Sequence, residues 1–130
     1  MGDRYSFVVT TIDLATATTV QLLIALERRE VSSVELLDGM LSNIALMNPA
    51  VNAVVAMDME RARAEATAAD NSRTAGDPCG PLHGLPMTIK DCYETLDLVT
   101  TAGAPELSDH MPTRDADVVR LLRRAGAIVW

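Results

Sequence analysis

Between Thr18 and Arg29 a polar start gives way to the apolar positions Val20, Leu22, Leu23, Ile24 and Leu26. Thr18 and Gln21 stand at capping-box spacing, in which each side chain satisfies a free amide at the helix start. Arg28 and Arg29 suit the negative end of the helix dipole. The pattern predicts a helix over roughly residues 17 to 29. The same signal recurs in "EVSSVELL", with Ser32 as N-cap and Glu35 at the third helical position. Val34, Leu37, Leu41 and Ile44 then repeat at helical spacing, and Leu36, Met40 and Met47 widen the stripe. Asn48-Pro49 predicts the end of this helix, because the residue before a proline avoids the helical region. The tight turn between the two helices predicts an antiparallel pair.

Further along, "VNAVVAM" is short, apolar and β-branched, and reads as an extended segment. "DMERARAEATAAD" predicts an alanine-rich helix from about Asp58 to Asp70. Its thin apolar face has to lie close against a neighbour or stay partly exposed. "NSRTAGDPCGP" reads as a loop by composition. "LPMTI" predicts one buried strand, with Pro86 at its beginning, where a missing amide donor costs least. Residues 91 to 113 show no period and predict a long ordered loop, a feature often tied to function. Asp115 then caps "ADVVRLLRRAG", with Val118, Leu121 and Leu122 on one face and Gly126 as the stop. "AIVW" predicts a second strand. Strand, loop, helix, strand is the order of a βαβ unit with a parallel sheet.

The expected fold class is therefore α/β, with N-terminal helices followed by the start of a mostly parallel sheet covered by helices. Residues 1–57 read as a helical hairpin with a short extended segment. Residues 58–130 read as a helix plus a β-loop-α-β unit. Parallel sheets are normally covered on both faces and need more than two strands. The unit is thus expected to be incomplete, and the chain to be the opening portion of a longer protein.

Composition narrows the function. The chain has 130 residues, 48% of them hydrophobic and 22% charged, enough for one small domain. A net charge of −7 argues against a general nucleic-acid or anionic-membrane surface. No apolar run approaches a membrane span. The start "MGDRYSFVVTT" lacks a secretory signal, so a cytoplasmic setting is the expectation. Gly2 and Ser6 match the loose myristoylation pattern, which is short and commonly met by chance. Two cysteines, Cys79 and Cys92, make no disulfide framework and are expected to be reduced and partly buried. Cys79-x3-His83 draws half a metal site and lacks closing ligands.

One residue type stands out. Lys90 is the only lysine beside ten arginines, and it ends an apolar, proline-bounded run. From spacing alone it reads as a strand-end lysine reaching solvent, with Asp91 as an ordinary surface ion-pair partner. Cys92, two residues on, offers an alternative: a thiol nucleophile activated by Lys90 or His83. His83 before Gly84 reads as a structural turn contact. His110 and the cluster Arg120, Arg123, Arg124 read as a solvated loop and helix face.

Four segments agree in order and spacing with a known family: "SSVELLDGMLSNIALMNPAVNAVV", "GPLHGLPMTIKD", "TTAGAPE" and "DADVVRLLRRAGAIVW". Together, from about Thr16 to Trp130, they resemble the start of the amidase signature family. The resemblance implies a mostly parallel mixed sheet covered by helices, in a chain several times longer. It implies hydrolysis of a carbon-nitrogen amide bond by a Ser-cisSer-Lys triad, with no cofactor and no metal. Lys90 matches the catalytic lysine, in the context of Gly84, Pro86 and Asp91. The two catalytic serines belong to a glycine- and serine-rich segment that nothing here resembles, so the chain is expected to be inactive alone. Ala104 departs from the family, which often places serine after the glycine.

A lysine titrates near ~10.4 and has no lone pair while protonated. Burial can lower that value by roughly 3–5 pH units. Arginine cannot serve, since its guanidinium stays protonated. The resemblance therefore leads to the expectation that the Lys90 amine is kept neutral in an apolar pocket. The implied partners are a small-molecule amide substrate and a homodimer or complementary C-terminal fragment, with no nucleic acid and no membrane. Two other readings stay open. One is a fragment of the glutamine-hydrolysing subunit of an amidotransferase. The other is a non-catalytic remnant or interaction module, which would use the apolar stripe of the first two helices.

Overall fold

Two capping boxes open the first two helices of the computed structural model, which describes residues 13 and 16–130. The myristoylation pattern at Gly2 and Ser6 lies outside those residues. Helix α1, Thr19–Glu27, starts at Thr18, whose hydroxyl accepts from the Gln21 N–H while the Gln21 side chain accepts from the Thr18 N–H at 2.8 Å. Helix α2, Ser33–Val51, repeats this between Ser32 and Glu35. The α1 arginines do not sit in its last turn: Arg28 is the C-cap, and Arg29 turns to φ 57° and donates to the Arg73 carbonyl.

The expected stop at Asn48-Pro49 does not occur, and α2 continues to Val51 with Pro49 inside it. A proline's preference at the preceding residue is modest beside a local set of hydrogen bonds. The Asn48 side-chain amide donates to the Val54 carbonyl and its oxygen accepts from the Val54 N–H, both at 2.9 Å. Asn52, in the left-handed conformation, closes the helix by donating to the Asn48 carbonyl at 2.7 Å. Residues 52–58 form no regular element.

Helix α3, Met59–Ala75, begins where expected, at the Asp58 cap, but runs through the stretch read as loop to the left-handed Gly76. The added turn is held by an ion pair within the helix and by a bond to the segment before Pro86. Arg73 pairs with Asp70 at 3.2 Å and donates to the His83 carbonyl at 2.7 Å. The thin alanine face behaves as expected: Ala62, Ala66 and Ala69 are buried. Small side chains at this spacing let α3 lie directly on α2, its main helical neighbour. Helix α1 reaches α2 through a shared apolar cluster of Leu22, Leu26, Leu36 and Leu85. A second cluster joins Leu37, Ala62, Ala66, Ile128 and Trp130, with Val34, Met40, Leu41 and Ile44 packed at its edge.

Strands β1, Pro86–Met87, and β2, Ile128–Val129, pair in parallel, Pro86 with Ile128 and Met87 with Val129. Helix α4, Asp117–Arg124, lies between them in sequence. Its cap is Ala116, not Asp115. The Asp115 carboxylate is drawn elsewhere: it accepts from the Leu96 N–H at 2.8 Å and lies 3.2 Å from Arg123. The buried face of α4 also differs from the expected one. Val119 is buried, while Val118 and Leu121 are exposed. Arg123, read as solvated, is largely covered and bridges Asp115, Glu65 and the Val129 carbonyl.

Candidate active site

Lys90 lies three residues past β1. The strand is placed by the Ile128 N–H, which donates to the Leu85 carbonyl at 2.9 Å, and by the parallel register with β2. Behind β1, Gly84 donates to the Gly126 carbonyl at 2.9 Å. Past Lys90 the chain turns at once, with the Tyr93 N–H donating to the Lys90 carbonyl at 3.0 Å.

Lys90 sits on the wall of an open cavity of about 330 Å³. Its walls include Val54, Ile89, Val129 and Trp130, with Asp91 and Tyr93 beside the lysine. One side is the irregular segment after α2, another the end of the sheet. The expectation that Lys90 is buried is not met: its side chain is exposed. Among the described residues it has no hydrogen-bond or ion-pair partner. The parallel ladder has ended by this point, and no described segment lies over the amine.

Asp91 is not the surface ion-pair partner that spacing suggested. Its Oδ1 accepts from the Thr101 N–H at 2.9 Å, and its Oδ2 accepts from the Thr101 hydroxyl. Its own carbonyl accepts from the Ala102 N–H at 2.7 Å. The residue next to Lys90 is thereby tied to "TTAGAPE". That turn bends tightly: Ala102 and Gly103 have φ of 51° and 75°, and the Gly103 N–H donates to the Thr101 hydroxyl at 3.0 Å. Ala104 opens a short 3-10 turn, Pro105–Leu107, without a side-chain cap bond. The long loop is ordered as expected. Thr100 donates to the His110 carbonyl, Ala116 to the Glu94 carbonyl, and His110 Nε2 lies 3.2 Å from Glu94.

The remaining candidates are not brought together. Cys79 and Cys92 are both exposed rather than partly buried. Cys92 lies in the turn after the strand, where a spacing of two residues does not put its side chain on one face with that of Lys90. His83 Nε2 bonds the Ala69 carbonyl at 2.9 Å, which commits the ring to α3. Among the described residues no group of three or more His, Cys, Asp or Glu is placed to hold a metal ion. None of the described helices is long and apolar enough to cross a membrane. Thr101, the residue that ties down Asp91, is marked in the sequence only by the doubled threonine of the unperiodic loop.

The sequence profile of a family described as "Amidase" matches residues 35–130. A glutamyl-tRNA(Gln) amidotransferase subunit of Roseiflexus sp. (strain RS-1) is 45% identical over 105 residues, covering 81% of this chain and 21% of that protein. The protein of the same description from Azoarcus sp. (strain BH72) is 46% identical over 104 residues, covering 80% and 21%. The native peptide amidase of Stenotrophomonas maltophilia superposes with a TM-score of 0.80 at 34% identity, over 88% of this chain and 24% of that one. The chain thus spans about a fifth of the length of the curated relatives it matches.

Proposed function

The chain belongs to the amidase family, and from that premise we propose that it supplies the catalytic lysine of a Ser-cisSer-Lys amide hydrolase. In this reading the neutral amine of Lys90 takes a proton from a bridging serine, which takes one from the nucleophilic serine as it attacks the amide carbonyl. Backbone amides stabilise the tetrahedral oxyanion. Both serines and the oxyanion donors come from polypeptide outside these 130 residues, whether the same chain or a complementary one. The substrate is a small amide, and the setting is cytoplasmic.

The observation that carries this is the placement of Lys90. The chain's one lysine lies just past the parallel strand, on the wall of the cavity, inside the stretch that the family profile matches. The amine is exposed, so the apolar cover that a neutral lysine requires has to arrive with the serine-bearing segment.

A second reading is favoured by the names of the relatives above. Glutamine would then be the amide, and the released ammonia would pass to another polypeptide. Ammonia release from glutamine compared with hydrolysis of simple amides separates the two.

The test is turnover. The purified 130-residue chain is expected to hydrolyse neither glutamine nor simple amides. Combined with the serine-bearing remainder of a relative, it is expected to gain activity that Lys90→Ala lowers by roughly 10²–10⁴-fold. Clear turnover by the chain alone, abolished by Lys90→Ala, would overturn the assignment of the serines to another segment. Full activity of the Lys90→Ala assembly would overturn the role of the lysine.

A further inference from the structure

We infer that Thr101 is a positioning residue for Lys90: it holds the neighbouring Asp91 carboxylate so that this carboxylate does not pair with the lysine amine. The inference rests on the reading of Lys90 as a base that must lose its proton.

Adjacent Lys and Asp side chains in a turn are well placed to form an ion pair. An opposite charge within about 4–6 Å favours the protonated amine and so opposes its use as a base. Here both carboxylate oxygens are engaged by a single residue. Oδ1 accepts from the Thr101 N–H at 2.9 Å and Oδ2 from the Thr101 hydroxyl. The backbone adds a third link, from the Ala102 N–H to the Asp91 carbonyl. Among the described residues Lys90 joins no ion pair. Among the described residues, Asp91 and Tyr93 supply the other ionisable side chains on the wall of its cavity, so Asp91 is the one side-chain carboxylate there able to hold the amine protonated.

The hydroxyl is what distinguishes this from a plain loop contact. Thr101→Val keeps the shape and the backbone N–H but frees Oδ2 to turn toward Lys90. Thr101→Ser keeps the bond.

Because Lys90 is the only lysine, its amine can be read directly, without turnover. The experiment is acylation of the 130-residue chain by an N-hydroxysuccinimide ester, followed at Lys90 by peptide mass spectrometry across pH 7–10. Below the midpoint of the profile, Thr101→Val is expected to react roughly two- to fivefold more slowly than wild type, its profile displaced to higher pH. Thr101→Ser is expected to match wild type, and adding Asp91→Asn to Thr101→Val is expected to restore the rate. High salt is expected to remove most of the Thr101→Val deficit, since it screens exposed pairs. An unchanged rate in folded Thr101→Val overturns the proposal. If that variant does not fold, wild type decides by itself: a rate that climbs with salt more than in Asp91→Asn shows the pair already formed and also overturns it. Because no turnover is measured, failure here leaves the assignment of Lys90 as the base intact. A dead Lys90→Ala assembly in turn says nothing about Thr101.

Discussion

Gly84 shows how one residue can be required for reasons unrelated to catalysis. Its φ is 76°, a conformation that side chains resist. A Cβ built there would lie 2.2 Å from the Ser33 hydroxyl and 2.9 Å from Arg73 Nη2. Ser33 is fully buried, and Arg73 is held by Asp70 and the His83 carbonyl, so neither can withdraw cheaply. Gly84→Ala is therefore expected to destabilise the chain by about 2 kcal/mol or more, read by chemical denaturation. Gly76, also at positive φ but in open space, provides the control: Gly76→Ala carries the backbone cost alone. Lys90 contrasts with Gly84. Its amine has no described partner, so Lys90→Ala removes chemistry and leaves the packing of the core in place.

At the scale of elements, the start of α2 gathers three sources of capping. Ser32 and Glu35 close the box, and Asp70 reaches across from α3 to accept from the Ser33 and Val34 N–H groups at 2.7 and 3.1 Å. The free amides at a helix start need such partners. The Ser32 N–H, and after it the Ser32 hydroxyl, donate to the Glu35 carboxylate and hold its pKa below the ordinary glutamate range. Such a depressed group adds stability above its unfolded pKa of about 4.3 and loses it as pH falls through the lower folded value. The difference in stability between wild type and Glu35→Gln, which keeps an accepting oxygen, is expected to be largest at neutral pH. It should shrink below about pH 4, as followed by helical circular dichroism. A difference independent of pH would rule out the charged cap. Side-chain bonds also carry α3 further than its composition predicts. Its last turn is polar, yet Thr74 bonds the Asp70 carbonyl and Arg73 is tied to the β1 side of the molecule.

The molecule as a whole buries its apolar groups unevenly. Two clusters fill the space between α1, α2, α3 and the sheet, while Leu46, Val51 and Val55 stay largely exposed. The described sheet has two strands of two residues each. A sheet that small needs cover on its faces and further strands to act as a cooperative unit. The 130-residue chain alone is expected to melt broadly and to bind a hydrophobic dye before melting. A sharp two-state melt of a monomer would count against that. Local chemistry wrote much of this into the sequence. Both capping boxes, the alanine face of α3, the parallel pairing of the two short strands and the order of the long loop follow from spacing, side-chain size and turn residues. The family follows from four separated segments. Contacts that the immediate sequence neighbours do not announce decided the rest. Asp115 left the helix start for Arg123 and Leu96, Asn48 carried α2 past Pro49 by bonding Val54, and Asp91 turned to Thr101 instead of Lys90. Asp115 and Asp91 each had an expected role beside them in sequence and took a different partner in space, and Asn48 found one past the proline, because folding brought an unsatisfied backbone group or charge within hydrogen-bond reach.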